Sequence, residues 1–394
     1  MNTNFKNNNL KRIIPYSRQN INFVDILSIL KSATNQLITQ GPIGEEFELD
    51  ICKFTTANYS ICSNSATSSL ILTYKALGLG KNDYLWTTPI TFVATSNAAL
   101  LCDAKVDFVD VDISDGLIDI SKLMQKIEHA KLENKLPKIL SVVHLYGNTP
   151  DMKAIKKICD KNNIKIVEDA SHALGTYSQS FPIGSCKYSD ACIFSFHPVK
   201  IITTAEGGCV TTNNKKLAQK IRILRSHGIT KNEDEFVSKK NEPWHYEQQD
   251  LGYNFRLNDL QSSLGISQLK RINLFISKRR KIIKKYNEEL NEFPLKIITE
   301  RSFCRSVYHL AVIFLDNPIT RLKLYENLRS EGFFCQVHYI PVHLQPYYKK
   351  IGFKENDFPV AEEFSSKILS IPCFPSLTSK DQRRVINCIK KHFS

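Results

Sequence analysis

The sequence lacks the features that would place the chain in a membrane, in a disulfide-bonded class or at a zinc site. No apolar stretch in its 394 residues approaches the length that a membrane span requires. The segment Met1–Asn9 is polar and asparagine-rich, with no apolar run of the signal-peptide kind, so we expect a frayed tail on a cytoplasmic protein. The 11 cysteines include no Cys-x-x-Cys pair, and their scatter through apolar patterns predicts reduced core thiols and no bound metal.

Acidic residues are fewer than basic ones, 39 against 53, which gives a net charge of +14. A basic chain can bind nucleic acid, but here the basic residues are spread over helical segments such as 278–285, which most often form solvated faces. The same charge can raise the local concentration of an anionic small substrate, for example a nucleotide-diphosphate compound. Charge alone leaves both functions open.

Apolar runs of strand length alternate with helical patterns over most of the chain. The runs predict strands at 59–62, 106–111, 139–143, 164–167 and 191–194. Helical patterns begin near 22, 45, 70, 121, 151, 215, 258 and 269. Such alternation is typical of the α/β class, with a mostly parallel sheet and crossover helices. No internal repeat is apparent.

Beyond Pro294 the composition changes and predicts a smaller α+β unit. Its predicted strands are at 307–314 and 333–339, and its predicted helices are at 321–330, 361–369 and 380–391. We therefore expect a tail and extended segment over 1–21, a large domain over 22–266 and a small C-terminal domain over 267–394. The polar segment 230–249 is a long loop of the kind that is either functional or mobile.

Lys200 follows a predicted buried strand that stops at Pro198, which has no N–H to donate to a β-ladder. Ligands bind at such strand ends in open α/β sheets. The neighbours Val199, Ile201 and Ile202 offer little water, and a desolvated lysine has a lowered pKa and a reactive neutral amine. The alternative, which holds for most lysines, is a solvated loop position.

Three further segments place polar or aromatic side chains at predicted strand ends. A Ser/Thr-rich turn at 63–69 feeds a helix whose first N–H groups can hold a phosphate, with ordinary helix capping as the alternative. Phe92 lies near the top of the sheet, where a core position is the commoner role. Glu168 and Asp169 end another strand and point to opposite faces, so one of them can face a pocket beside Lys200.

A phosphate cradle, an aromatic ring, a carboxylate and a desolvated lysine together match the needs of pyridoxal 5′-phosphate (PLP). The carboxylate keeps the pyridine nitrogen protonated, so that the ring accepts electrons. The lysine amine condenses with the cofactor aldehyde and later shuttles protons. These residues therefore predict a PLP-dependent enzyme.

Several motifs, in the same order from residue 14 to the C-terminus, resemble those of the DegT/DnrJ/EryC1/StrS family of sugar aminotransferases. The matching segments are 39–41, 64–67, 88–95, 143–147, 168–175, 195–200, 204–208 and 252–257. The resemblance implies a fold type I aminotransferase, with a mostly parallel large domain and a smaller α+β domain. It also implies a homodimer whose active sites are shared between the subunits.

The resemblance assigns roles around the cofactor ring. Lys200 matches the lysine that forms the Schiff base, and Asp169 matches the partner of the pyridinium nitrogen. Phe92 matches the stacking aromatic. His172 takes the position near the cofactor hydroxyl, where many relatives carry glutamine.

The resemblance also assigns the phosphate site. Ala66 and Thr67 match the phosphate-binding turn, Ser195 donates to the same phosphate, and Asn254 matches the residue that reaches it from the partner subunit. Ala66 replaces a glycine of most relatives, which the backbone tolerates only with a negative φ. The segment 84–86, Tyr-Leu-Trp, is a second departure, because relatives more usually carry acidic and β-branched residues before the position of Thr87.

Within the family, the segments 14–19, 64–67 and 336–346, together with His172, most resemble members that act in pseudaminic acid biosynthesis. That likeness implies L-glutamate as amino donor and a UDP-linked 4-keto-6-deoxy sugar, UDP-2-acetamido-2,6-dideoxy-β-L-arabino-hex-4-ulose, as acceptor.

We expect Tyr16, His338 and Tyr339 to contact the sugar or nucleotide. Simple packing of the extended N-terminal segment and of a small-domain strand is the alternative.

Three other functions stay open. A transaminase for another nucleotide 4-keto-6-deoxy sugar would keep the same residues, whereas a PLP-binding regulatory protein would bind the cofactor without turnover. A nucleic-acid binder is suggested by charge only, and the sequence shows no aromatic and basic platform for one, so we expect no nucleic acid partner. Family dehydratases carry histidine in place of the lysine, and Lys200 is present here.

Overall fold

The computed structural model describes residues 13–238 and 242–394, and the predicted tail at 1–12 lies outside them. The strands are β1 (Ile14–Pro15), β2 (Tyr59–Ser63), β3 (Tyr84–Thr87), β4 (Lys105–Phe108), β5 (Ile139–Val143), β6 (Lys165–Asp169), β7 (Tyr177–Ser178), β8 (Phe181–Pro182), β9 (Ala191–Ser195), β10 (Gly208–Thr212), β11 (Ile229–Thr230), β12 (Glu247–Gln248), β13 (Leu295–Ile297), β14 (Cys304–Arg305), β15 (Ala311–Leu315), β16 (Phe333–Phe334) and β17 (Ile368–Ile371).

The α-helices that were predicted begin within about four residues of the expected positions, whereas α11 (Pro346–Lys350) was not predicted. The helices of the same residues are α1 (Phe23–Ala33), α2 (Pro42–Thr55), α3 (Ala66–Ala76), α4 (Ala94–Leu100), α5 (Ile120–Leu132), α6 (Met152–Lys161), α7 (Lys215–Arg225), α8 (Asp259–Leu269), α9 (Ile272–Leu290), α10 (Pro318–Ser330), α11 (Pro346–Lys350), α12 (Pro359–Lys367) and α13 (Ser379–Phe393). Short 3-10 turns lie at Leu145–Gly147, Glu233–Glu235 and Val342–Leu344.

A seven-stranded sheet forms the centre of the large part of the chain, in the order β2-β10-β9-β6-β5-β3-β4. Strand β10 runs antiparallel to both of its neighbours, and the other pairs are parallel. Every residue of the central strand β5 is buried, as expected for a strand covered by helices on both faces. The prediction of a mostly parallel α/β sheet is confirmed.

The C-terminal part contains a second, antiparallel sheet in the order β13-β15-β17, with its own apolar core. The predicted helix 361–369 ends at Lys367, and the prediction is wrong beyond that point. Residues Ile368–Ile371 are fully buried and pair with β15, so tertiary pairing overrides the helical pattern. The predicted strand 333–339 is also too long, because only Phe333–Phe334 pair as β16.

Helix α1 forms where the periodicity predicts it, with Asn22 as its N-cap, but its apolar side faces outward. Phe23 is 70% exposed and Leu30 is 58% exposed, whereas Asp25 and Ser32 are buried against the rest of the protein. Within the described residues, the apolar stripe of this helix therefore covers no core. Across the same residues no helix combines the length and the apolar character needed to cross a bilayer.

The segment predicted as a long loop at 230–249 is anchored at its two ends. Strands β11 and β12 pair antiparallel, so the chain leaves and returns at neighbouring points. Residues 239–241 at its tip are outside the described part.

Candidate active site

The carboxyl ends of the central strands open onto a cavity of about 510 Å³. The residues predicted for the site that line it are Tyr16, Ala66, Thr67, Phe92, Asp169, His172, Ser195, Lys200, His338 and Tyr339. Those of the large sheet and its connections come from separated segments and meet because parallel strands end at one edge, whereas Tyr16, His338 and Tyr339 are added by the N-terminal segment and the C-terminal part. Asn254, which was also predicted for the site, does not line this cavity and is exposed.

Asp169 is the last residue of β6 and is 6% exposed. Its carboxylate accepts hydrogen bonds from the hydroxyls of Thr95 and Ser171, each at 2.6 Å. The preceding Glu168 bonds instead to His144 Nε2 at 2.6 Å and to Ser189, in keeping with the alternation of side chains along a strand. Asp169 is therefore the carboxylate held in the cavity wall.

Thr95 was not singled out by the sequence, although it ends the matched segment 88–95. Its hydroxyl also lies 2.9 Å from that of Thr91, so it belongs to a short chain of hydroxyls behind the carboxylate. These bonds restrict the rotation of Asp169 and keep its charge directed at the cavity.

Lys200 is partly buried in the same wall. Burial lowers the pKa of its amine from 10.5 to about 8, and the negative charge of Asp169 opposes this by raising it. Because desolvation outweighs the attraction of the carboxylate, a substantial fraction of the amine is neutral near pH 8.

The predicted phosphate cradle is the N-terminus of α3. Ser65 caps the helix by accepting from the N–H of Ser68 at 3.0 Å, which leaves the first helical N–H groups, those of Ala66 and Thr67, without an intrahelical partner. Ala66 is helical, so its φ is negative and the alanine fits where most relatives have glycine. An anion is stabilised at such a terminus.

Most hydroxyls of the Ser/Thr-rich turn are occupied within the protein. Ser63 and Ser69 lie 2.7 Å apart, and Ser65 and Ser68 lie 2.9 Å apart. Helix capping and internal bonding thus account for four of the hydroxyls, and the free N–H groups remain for a phosphate.

Gly208 packs closely against the start of α3. A Cβ atom at this position would lie 2.5 Å from both the N atom of Ala66 and the O atom of Ser65, closer than real contacts allow. The glycine therefore permits β10 to approach the start of α3.

Three buried histidines, His172, His309 and His338, line the cavity, and all are held neutral. Burial, followed by the positive charge of Lys200, lowers the pKa of His338 to about 3. Burial also lowers the pKa values of His172 and His309 well below the usual range. His309 was not predicted from sequence, because it lies in none of the segments that match the family. Its ring lies 4.3 Å from that of His172.

The extended N-terminal segment closes one side of the cavity. Strand β1 pairs with β16, and the ring of Tyr16 lies 4.8 Å from that of His338. The next residue, Ser17, donates its hydroxyl to the carbonyl of Val199 at 2.9 Å. This bond ties the segment to the residue that precedes the reactive lysine.

The donor set fits PLP. The cofactor needs a phosphate site, an anion for its ring nitrogen, an amine for its aldehyde and an aromatic neighbour, and the cavity provides each from the residues described above.

Fold and cavity together define a PLP-dependent aminotransferase of fold type I. The chain belongs to the DegT/DnrJ/EryC1/StrS aminotransferase family, whose sequence profile matches residues 22–390. It is accordingly a PLP-dependent sugar aminotransferase.

The chain is 39% identical over 379 residues to the UDP-4-amino-4,6-dideoxy-N-acetyl-beta-L-altrosamine transaminase of Campylobacter jejuni subsp. jejuni serotype O:23/36, covering 95% of this chain and 96% of that protein. It is 34% identical to the spore coat polysaccharide biosynthesis protein SpsC of Bacillus subtilis, with 96% of each chain covered. Among solved structures, Helicobacter pylori PseC, an aminotransferase of pseudaminic acid biosynthesis, matches with a TM-score of 0.88 and 29% identity, covering 97% of this chain and 99% of that one.

Proposed function

We propose that this enzyme transfers the amino group of L-glutamate to the C4 ketone of UDP-2-acetamido-2,6-dideoxy-β-L-arabino-hex-4-ulose, in the biosynthesis of pseudaminic acid. The observation that carries the transamination is the placement of Lys200 and Asp169 in one cavity, with the amine shifted toward its neutral form. The choice of sugar is supported by the likeness to the Campylobacter jejuni transaminase over nearly the whole of both chains.

When bound, PLP supplies an electron-accepting ring that stabilises negative charge at the carbon next to the transferred nitrogen. Asp169 would hold the ring nitrogen, with its own orientation set by Thr95 and Ser171. The N–H groups of Ala66 and Thr67, and the hydroxyl of Ser195, would hold the phosphate.

Lys200 is the group that moves the proton. Its amine accepts a proton from the Cα atom of glutamate in one half of the reaction and delivers a proton to C4 of the sugar in the other. In the cofactor-free protein the amine has a pKa of about 8, and a group whose pKa is near the working pH can both accept and release a proton readily.

The uncharged wall suits a sugar. His172, His309 and His338 are neutral and, with Tyr16 and Tyr339, present aromatic faces and hydrogen-bonding groups without net charge. Sugar hydroxyl and amide groups are recognised by contacts of this kind. The only lysine or arginine in the described lining is Lys200, so we infer that the diphosphate lies toward the cavity mouth.

We infer that the enzyme acts as a homodimer with shared active sites. The outward apolar stripe of α1, which includes Phe23, Leu27 and Leu30, is an exposed surface that a second copy of the chain would cover. The exposed Asn254 would then reach the phosphate site of the partner subunit.

The test is to incubate the purified PLP-loaded protein with L-glutamate and the purified 4-keto sugar, and to identify the product by NMR. We expect a 4-amino sugar, and none with the Lys200→Ala variant. Other nucleotide 4-keto-6-deoxy sugars are assayed in parallel, since faster turnover of one of these would replace the proposed substrate. Cofactor binding with no glutamate-dependent spectral change would instead support a regulatory protein.

A further inference from the structure

Tyr146 contacts each of the three neutral histidines through a different polar group. Its N–H donates to His172 Nδ1 at 3.3 Å, and its carbonyl accepts from the N–H of His309 at 2.8 Å. Its hydroxyl donates to the carbonyl of His338. The side chain is 4% exposed, and the backbone adopts a φ of 62°, in the left-handed region that is unfavourable for a bulky residue.

The bond from Tyr146 decides which nitrogen of His172 carries the proton. A backbone N–H can only donate, so Nδ1 must be the unprotonated nitrogen. Because burial and the charge of Lys200 lower the pKa of His172, the ring is neutral and its one proton resides on Nε2. That nitrogen lies 3.1 Å from the hydroxyl oxygen of Tyr339, to which it must donate.

The hydroxyl of Tyr339 is then left with a hydrogen to place elsewhere. Its oxygen accepts from His172, and burial raises the pKa of the phenol, so the hydroxyl keeps its proton. Two hydrogen bonds hold the backbone around Tyr339. The hydroxyl of Tyr146 donates to the carbonyl of the preceding residue, His338, and Ser365 Oγ donates to the carbonyl of Tyr339 at 2.8 Å. The ring lines the cavity, 6.1 Å from the ring of Phe92.

We propose that Tyr146 is a positioning residue that fixes the His172 and Tyr339 pair, so that the Tyr339 hydroxyl donates its hydrogen to an oxygen atom of the bound sugar. This inference rests on a sugar being the amino acceptor. It adds to that function a specificity residue, Tyr339, and the residue that positions it, Tyr146. We assign the acceptor to the sugar and not to the cofactor because Tyr339 lies next to His338, whose ring packs on Tyr16. Tyr16 and His338 are residues that we expect to contact the sugar or nucleotide.

The kinetic test compares three tyrosine to phenylalanine variants of the PLP-loaded enzyme. Tyr339→Phe removes the donor, Tyr146→Phe removes only the bond to the His338 carbonyl, and Tyr286→Phe removes a similar bond to Pro372, 2.9 Å long and within the separate C-terminal core, as the control. We expect the KM for the sugar to rise about tenfold in Tyr339→Phe and about threefold in Tyr146→Phe, with kcat less affected. Tyr286→Phe should leave both values unchanged.

The half-reaction with glutamate shows whether the Tyr339 hydroxyl donates its hydrogen bond to the sugar or to the cofactor. It involves the cofactor but no sugar, and it is followed by the cofactor absorbance. We expect its rate in Tyr339→Phe to stay within about twofold of the wild-type rate. An equal loss in this half-reaction would show that the hydroxyl serves the cofactor, and an unchanged KM for the sugar in Tyr339→Phe would likewise overturn the proposal.

A direct readout of the tautomer does not depend on activity. Long-range proton–nitrogen NMR of ¹⁵N-histidine-labelled protein, with His172→Gln to assign the signal, should show the proton on Nε2. A proton on Nδ1, or a doubly protonated ring at neutral pH, would contradict the positioning role. If the enzyme aminates no sugar, the proposed substrate is wrong. The NMR measurement of the His172 tautomer still tests whether Tyr146 positions His172.

Discussion

The carboxylate of Asp25 on α1 is fully buried and forms an ion pair with Arg271, just beyond the end of α8. Ser267 Oγ and Gln268 Nε2 donate to the same carboxylate at 2.6 Å and 2.9 Å. Helix α1 is therefore attached to its own chain through a polar face, and its apolar face is left outside. A buried charge with several donors fixes the orientation of the helix, since turning it over would leave that charge unpaired.

The outward face of α1 predicts how the chain associates. Leu27→Glu places a charge in the apolar stripe, and we expect it to convert a dimer into a monomer, measured by size-exclusion chromatography with light scattering. Leu132→Glu, at a side chain that is 85% exposed on α5, is the control and should leave the dimer intact. A wild-type monomer, or a Leu27→Glu dimer of unchanged stability, would show that a second copy does not cover this face.

The pKa of Lys200 predicts the pH dependence of cofactor capture. The protonated amine cannot attack an aldehyde, so the rate of PLP incorporation into the cofactor-free protein should rise as the pH increases through about 8 and level off above it. Stopped-flow absorbance measures this rate, and Lys200→Ala should show no covalent phase. In Asp169→Asn the midpoint should move to lower pH, because the charge that raises the pKa of Lys200 is gone. A midpoint that does not move would contradict the effect of the Asp169 charge on the pKa of Lys200.

Asp169→Asn should also lose turnover. The amide keeps the size of the side chain but cannot keep the pyridine nitrogen protonated, and we expect kcat to fall about 100-fold or more. Steady-state assays of 2-oxoglutarate release measure the effect. A variant with near wild-type kcat would remove Asp169 from the proposed role.

Gly208 predicts a steric effect at the phosphate cradle. Gly208→Ala puts a methyl group 2.5 Å from Ala66 N, so we expect weaker PLP binding and a loss of about 1–3 kcal/mol in the free energy of unfolding. Equilibrium titration with PLP and chemical denaturation test the two parts. Gly80→Ala is the control, since its Cβ would meet nothing within 4 Å. Equal behaviour of the two variants would show that the cradle tolerates the methyl group.

Ala205 has a φ of 66°, which an alanine adopts at a cost, in the turn between Lys200 and β10. We expect Ala205→Gly to raise the free energy of unfolding by about 0.5–1 kcal/mol, after allowance for the greater freedom of glycine in the unfolded chain. Ala218→Gly, in helix α7, should have the opposite sign, at about 1 kcal/mol or more. Chemical denaturation measures both, and a destabilised Ala205→Gly would mean that the strain is absent.

Sequence alone was sufficient for the α/β class and for ten of the residues that line the cavity. Strand and helix follow from the spacing of apolar side chains along the chain, and parallel strands necessarily end at one edge. The proximity of Lys200 and Asp169 follows from that rule, because each residue comes at or just after the end of a strand. The desolvation of Lys200 was also predictable, because its apolar neighbours are adjacent in sequence.

The tertiary structure decided which distant residues each side chain contacts. His309 and the triple contact of Tyr146 arise only when the C-terminal part packs against the large sheet, and the spacing of residues carries no sign of that contact. The pattern of α1 indicated a helix with an apolar face but not the direction of that face, which the buried pairing of Asp25 with Arg271 sets. Local periodicity determines the type of an element, whereas burial and hydrogen bonding depend on segments that are distant in the chain.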